Sequence, residues 1–503
     1  MATDALQSTQ PAETLTAGPS AEVGYADDFA HLLQKAFKPG SDAKQERIEQ
    51  AVRTLARQAL EDAAIIGDDV YMTVDALKAA IDRKLSLQIN AIIHHPEFQQ
   101  LESTWRGLWY LVGNTSTGKD LKIRVLNISK EETRRQFRQY RDEAWDQSPI
   151  FKKIYEAEFG QLGGQPYGAI VCDYTFDHSG PDIEVMKGLS KIGAAAHAPF
   201  IAAAGPKLIG MESWRELANP RDLAKQFEAT DYMAWRSFRA SNDSRYMALT
   251  LPRFLGRPLY GAETDPVEEF AFEEEVVGTH DKYLWLNASY ALGVRITEAF
   301  KTYGWCTRIR GVESGGTVED LPTALFPTDE GGVDAKCPTE IAISDRREAE
   351  LSKAGLMALV HRKNTDNATF IGAQTLHTSK AYEDANATAN ANLSARLPYI
   401  FASCRFAHYL KCMVRDWIGG TREAPQLERE LQSWIMQYVD LQPEHSDENT
   451  KARKPLKQAS VEIIPDPENP GYYRGLFRMV PHYQLEGMDV SLSMVSRLPK
   501  APD

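Results

Sequence analysis

The most constraining stretch of this sequence lies between residues 167 and 204. Residues 167–174 (YGAIVCDY) form a nearly continuous apolar run, residues 182–195 read as a helix, and residues 199–204 (PFIAAA) are apolar again. A strand that is apolar on both sides needs cover on both faces, and strand–helix–strand within about 38 residues is a βαβ unit. A partly parallel sheet flanked by helices is therefore expected. Residues 121–127 (LKIRVLN) read as a further strand. Ser129 and Glu132 then have capping-box spacing, and Ser148-Pro149 opens a helix that ends near Gly160. Helices follow near 220–228, 232–240 and 283–303, with strands near 246–251, 307–310, 339–343, 356–362 and 369–373.

The two ends have other rhythms. Residues 1–27 are rich in small and polar residues without periodicity, which suggests a disordered tail. Helices are expected over about 28–38, 47–66 and 74–93, and another from Pro96, packing through Phe98, Leu101, Trp105, Leu108 and Val112. After residue 385 come a helical region at 390–418 interrupted by Pro398, a helix at 426–439, a polar loop at 442–458, and strand-like runs at 459–464, 472–480 and 489–495. Helices followed by consecutive strands suggest an α+β domain with an antiparallel sheet. The fold class is thus mixed α/β and α+β, divided into a tail (1–27), a helical segment (28–95), a larger domain (96–385) and a C-terminal domain (386–503).

Composition bounds the function. The chain has 503 residues, 43% apolar, with a net charge of −13, so a large core is possible and global disorder is excluded. An acidic chain is poorly suited to nucleic acid or to an anionic membrane surface. Five scattered cysteines without a CxxC suggest reduced thiols in a cytoplasm. The first 30 residues contain no Lys or Arg, unlike a signal or transit peptide, and no apolar run is long enough for insertion in a membrane.

Catalytic motifs fail on their own physics. Gly113 to Lys119 matches G-x-x-x-x-G-K, but Asp120 follows where Ser or Thr should hold magnesium. A helix is also expected before the loop and a strand after it, the reverse of a phosphate cradle. Asp177-His178-Ser179 are adjacent and cannot converge as a triad. His94-His95 lacks a second ligand pair, and the glutamates at 268, 269, 273, 274 and 275 have no calcium-loop spacing, so they suggest a solvated or docking face. Trp105, Trp109 and Trp285 are expected in the core. The chain reads as a non-enzyme without cofactor or metal.

Two features point to binding. Phe29, Leu32, Leu33, Ala36 and Phe37 form one face of a short helix. Burying that face yields roughly 6–12 kcal/mol gross, offset by a similar ordering cost, so it binds weakly alone or packs on its own domain. Near the end, Asp489, Val490, Ser491, Leu492, Ser493, Met494 and Val495 form an alternating strand. Such a strand pairs within its own sheet or extends a neighbour's.

Seven strings, quoted in order, resemble the large sheath subunit of the bacterial type VI secretion system, the TssC/VipB family: HPEFQQLESTWRGLWYLV (95–112), FGQLGGQPYGAIVCDY (159–174), LPRFLGRPLYG (251–261), YGWCTRIRGVESGGTVEDLP (303–322), KCPTEIAISDRREAELS (336–352), ATANANLSARLPYIFASCRFAHYLK (387–411) and VPHYQLEGMDVSLSMVSRLP (480–499). The resemblance implies two sheath domains and polymerisation with a small sheath subunit (TssB/VipA) into a helical tube of heterodimers around an Hcp inner tube. It implies contraction that propels that tube, attachment to a membrane-anchored baseplate through partners, and disassembly by a ClpV-type AAA+ unfoldase. It gives residues 489–495 the role of an exchanged strand and residues 28–38 that of the unfoldase-binding helix. In the latter, Leu32-Leu33 is followed by Gln34-Lys35 where the family has an acidic pair. The alternatives are a P-loop-like nucleotide enzyme, or a phage-type tail sheath protein that needs no small partner.

Overall fold

The computed structural model describes residues 35, 42–62, 70–218, 222–268, 270–276, 279–327, 332–465 and 473–482. The tail expected at 1–27, almost all of the helix expected at 28–38 and the strand expected at 489–495 lie outside the described residues. The chain forms two compact units, one of residues up to His95 with Tyr260–Glu275, the other of Pro96–Leu259 with Val276 onward.

In the first unit, α1 (Asp42–Asp62) and α2 (Val70–Ile93) pair as helices. Asn90 on α2 holds the acidic segment: its Nδ2 donates to Glu273 O at 3.0 Å, and its Oδ1 accepts from Glu275 N at 3.0 Å. Glu274 is buried, accepts from Tyr260 N at 3.1 Å and lies 3.2 Å from His94 Nε2. The run expected to be a solvated face thus turns one carboxylate inward, because His94 and a backbone N–H satisfy it.

The second unit starts with α3 (Pro96–Gly113) and α4 (Lys130–Gln139). The capping box of α4 is present: Glu132 N donates to Ser129 Oγ at 3.1 Å and Ser129 N donates to Glu132 Oε2 at 2.8 Å. A helical turn, Pro149–Phe151, continues as a π-helix, Lys152–Phe159. Next come β1 (Ile170–Phe176), α5 (Gly180–Ala196), β2 (Phe200–Ala204) and β3 (Met247–Leu251). The chain continues with α6 (Ala288–Tyr303), β4 (Thr317–Val318), β5 (Leu356–His361) and β6 (Ala368–Phe370).

These strands form a sheet of six, among the described residues, in the order β1-β2-β3-β5-β6-β4. The first four are parallel; β6 runs antiparallel to both β5 and β4. The strand period of two sorts side chains to two cores. Phe200, Ala202, Ala204, Met247, Leu249, Leu356 and Ala358 pack with Met186, Leu189 and Ile192 of α5. Ile201, Ala248, Met357 and Leu359 pack with Leu292 and Ile296 of α6. Both faces are covered, as the continuous apolar runs require.

Three expected strands differ. Residues 307–310 and 339–343 form no ladder among the described residues: Ile309 and Ile343 are buried, but Glu340 N donates to Arg253 O at 2.8 Å and Gly311 N, just past the first run, donates to Phe370 O at 2.7 Å. Thr339 makes only an isolated bridge to Phe254. Residues 121–127 carry no regular secondary structure and pair with no strand among the described residues. Glu340 also lies beneath Arg253, which donates to it at 2.7 and 2.8 Å, with His280 Nε2 3.2 Å away. Burial would raise the Glu340 carboxyl, but the hydrogen bonds from Arg253 and His280 outweigh it and hold the group down at about 2.

The C-terminal part contains α7 (Ala385–Ser394), α8 (Leu397–Trp417), α9 (Ala424–Met436), and the hairpin of β7 (Leu456–Pro465) and β8 (Tyr473–Pro481). The expected interrupted helix is two helices. Pro398 sits in the first turn of α8, where its missing N–H costs nothing. The expected polar loop at 442–458 holds a short helix, Glu448–Arg453, and the start of β7. Phe406, Leu431, Ile435, Leu456 and Val461 pack around Trp305, which stacks on Phe406 with centroids 4.4 Å apart.

Leu249, fully buried at the centre of β3, is the direct probe of this sheet. Leu249→Ala should destabilise the chain by about 2–5 kcal/mol, as a lowered urea midpoint with unchanged slope would show.

Candidate assembly surface

Helix α3 is apolar around most of its circumference, which predicts cover on more than one side. Within the second unit it buries only Gly107 and Leu111. Gly107 explains the close approach of α6: a Cβ there would stand 2.2 Å from the Tyr290 ring. The other face is open. Leu101 is 55% exposed, Trp105 64% and Trp109 73%, with Phe98 and Val112 also exposed. These were expected in the core; of the three tryptophans placed there, only Trp285 is buried. Helical periodicity locates an apolar stripe but does not say whether the same chain covers it. Exposed large apolar residues in a row, with two tryptophans at i and i+4, are the composition of an interaction hot spot.

Beside this face lies a cavity of about 2370 Å³. One wall is residues 118–130 and the opposite wall is residues 164–175, including most of β1; α3, α6, α8 and the π-helix close the rest. Tyr174 Oη donates to Ile128 O at 2.7 Å, and Lys130 Nζ donates to Thr175 O at 2.9 Å, so side chains bridge the two walls. Lys122 Nζ donates to Gln165 Oε1 at 2.8 Å, and Arg124 pairs with Glu158. Burial would raise the Glu158 carboxyl, but Gln165 N–H and Arg124 hold it below the usual range.

The chemistry of the lining is inert. Burial pushes the Cys172, Cys306 and Cys404 thiols up to about 12, so they stay protonated and unreactive at neutral pH. Burial likewise pushes the Tyr174 phenol up to about 12 and His408 down to about 4. His408 Nε2 faces Ala196 O at 2.9 Å. Gly113 closes α3, and residues 121–129, without regular secondary structure, follow Lys119, so the P-loop-like string has no helix N-terminus to hold phosphate. Among the described residues there is no group of His, Cys, Asp and Glu arranged to hold a metal, and no helix is long and apolar enough to cross a membrane.

A second open edge lies in the C-terminal hairpin. The outer side of β7 is blocked by α9: Val461 N donates to Gln432 Oε1 at 2.8 Å, and Ile463 N donates to Glu428 Oε2 at 3.0 Å. Among the described residues, no backbone hydrogen bond joins the outer edge of β8 at Gly475, Phe477 and Met479 to another strand. The residues singled out in the sequence for exchange, Asp489 to Val495, and for the unfoldase, Phe29, Leu32, Leu33, Ala36 and Phe37, are not among those described.

A partly apolar surface with open sheet edges suits a protein that assembles, and the chain belongs to the EvpB/VC_A0108 (VipB) tail sheath family. The family's tail sheath N-terminal domain matches residues 75–377, and its gpW/gp25-like tail sheath domain matches residues 386–498. The type VI secretion system sheath protein TssC1 of Pseudomonas aeruginosa is 59% identical over 477 residues, covering 95% of this chain and 96% of that protein. Two cryo-EM structures of the anti-feeding prophage are distant likenesses at 11% identity: its baseplate (TM-score 0.34, covering 63% of this chain and 67% of that one) and its contracted helical sheath (TM-score 0.28, 62% and 74%).

If the α3 face is an interface, its tryptophans matter to assembly and not to folding. Trp105→Ala with Trp109→Ala should shift the stability of the chain by no more than about 0.5 kcal/mol per site. The same pair should lower the yield of sedimentable filaments at least tenfold, as pelleting would measure.

Proposed function

We propose that this chain is the large subunit of a type VI secretion contractile sheath, and that it polymerises with a small sheath subunit (TssB/VipA) as a helical array of heterodimers around an Hcp tube. Contraction of the array propels the tube. The role is mechanical, not catalytic, and is exercised in the bacterial cytoplasm on a membrane-anchored baseplate. The observation that carries this reading is the 59% identity to TssC1, which extends over 95% of the chain. The inert cavity lining and the open sheet edges support it.

In this reading the chain has a larger sheath domain (96–385) and a C-terminal one (386–503). The terminal strand Asp489–Val495 crosses to a neighbouring subunit and pairs there with the open edge of β8. Val490, Leu492 and Met494 would lie on the covered face, with Ser491 and Ser493 outward. Backbone hydrogen bonds of this kind hold subunits together while rigid domains rotate. The helix at 28–38 is the handle for a ClpV-type unfoldase, by its apolar face alone.

Co-expression with the small subunit, viewed by electron microscopy, tests the reading: tubules are expected, and a monodisperse monomer would refute it. Deleting residues 489–503 should abolish tubules; intact tubules would remove the exchange role. Leu33→Asp should leave tubules intact and slow their disassembly by the unfoldase. An unchanged disassembly rate would leave that helix with a structural role.

A further inference from the structure

We propose that the contact of α8 with α5 and the π-helix is an acid-sensitive seam, which loosens when His408 takes up a second proton at Nδ1. The proposal goes beyond the sheath reading and does not depend on it. Helix α8 lies in the part of the chain matched by the gpW/gp25-like domain, and α5 and the π-helix lie in the part matched by the N-terminal sheath domain, so the seam joins the two.

Helix α8 meets the other two at their ends, where the last carbonyls have no intrahelical partner. His408 Nε2 faces the carbonyl of Ala196, the last residue of α5, at 2.9 Å. Arg415 Nη1 donates to the carbonyl of Phe159, the last residue of the π-helix, at 3.3 Å. Lys411 Nζ donates to Tyr155 Oη at 3.2 Å and lies 3.7 Å from the centre of the Phe159 ring. The spacing of His408, Lys411 and Arg415 puts them on one face of α8. Basic side chains suit the negative end of a helix. Histidine does so here without a charge.

A carbonyl oxygen only accepts, so the neutral His408 ring carries its proton on Nε2. The residue is 2% exposed, and Nδ1, the one place for a second proton, meets no hydrogen-bond partner among the described residues. A proton there buries both a charge and an unmet donor. The surroundings add to that cost. Arg405 and Lys411 from α8, and His197 from the end of α5, all oppose the charge. On the π-helix, Glu158 pairs with Arg124 and Glu156 is exposed. The Cys404 thiol and the Tyr246 phenol are raised by burial and stay uncharged, and Cys412 Sγ accepts from Arg415. Burial and the three cations outweigh the Ala196 bond and hold His408 down at about 4. Burial and Lys411 also hold His197 below its usual value.

The sign follows from linkage. A histidine whose pKa falls from 6.5 to about 4 on folding contributes stability that is complete above 6.5 and is lost as the pH falls toward 4. The seam should therefore open about thirtyfold more readily at about pH 5 than at about pH 8. Glu158, Glu340 and Asp440 are held below the usual carboxylate range, so this window leaves them ionised.

The test is hydrogen exchange of the full chain, read by mass spectrometry over residues 397–417 at both pH values, with His408→Gln measured beside it. Glutamine keeps an N–H for Ala196 O and does not titrate. His377 and His482 are also lowered by burial, so the readout is the difference between the two chains. After correction for intrinsic rates, acid should increase the opening of α8 about thirtyfold more in the unsubstituted chain than in the variant. Equal increases overturn the proposal. So does an equal difference at residues 200–204, which would mean that the sheet yields with the seam. Should His408→Gln fail to fold, the unsubstituted chain decides through deuterium uptake at the His408 ring carbon between the nitrogens. A midpoint below about pH 5 is expected, and one at or above it overturns the proposal.

Discussion

The β1 edge, which meets no second strand among the described residues, is the constraint on which the rest of this structure turns. A parallel sheet with helices on both faces has no wet side, so its edge cannot be finished by water and side chains alone. Strand β6 with β4 finishes the far side of the sheet antiparallel. The β1 side is left to Tyr174 and Lys130, which prop the neighbouring segment at arm's length. Trp105 of α3 and residues 121–127 line the cavity beside that edge.

The C-terminal hairpin treats its two edges differently. Glu428 and Gln432 of α9 occupy the outward N–H groups of β7, which removes that edge from pairing. Among the described residues, no such hydrogen bond covers the outer edge of β8 at Gly475, Phe477 and Met479. Blocking one edge and leaving the other open gives an added strand a single place to bind, which a repeating helical array needs.

Much of this was legible in the sequence. The βαβ unit at 167–204 specified a parallel sheet because strands apolar on both faces can be satisfied only between helices. Ser129 and Glu132 specified a helix start by local hydrogen bonding alone. The resemblance to sheath subunits located the family from long strings that no periodicity argument could supply. What misled was partnership. Phe98, Leu101, Trp105 and Val112 have core spacing, and nothing local tells a core from an interface. Residues 121–127 have strand chemistry, but no strand among the described residues pairs with them. Residues 339–343 failed for another reason: the backbone N–H of Glu340 donates to Arg253 O, outside any ladder.

A cryo-EM reconstruction of the filament assembled with its small partner tests the central claim most directly, at the resolution where strands separate. The account predicts a strand from a neighbouring subunit paired along the outer edge of β8. A map in which that edge stays bare would contradict it.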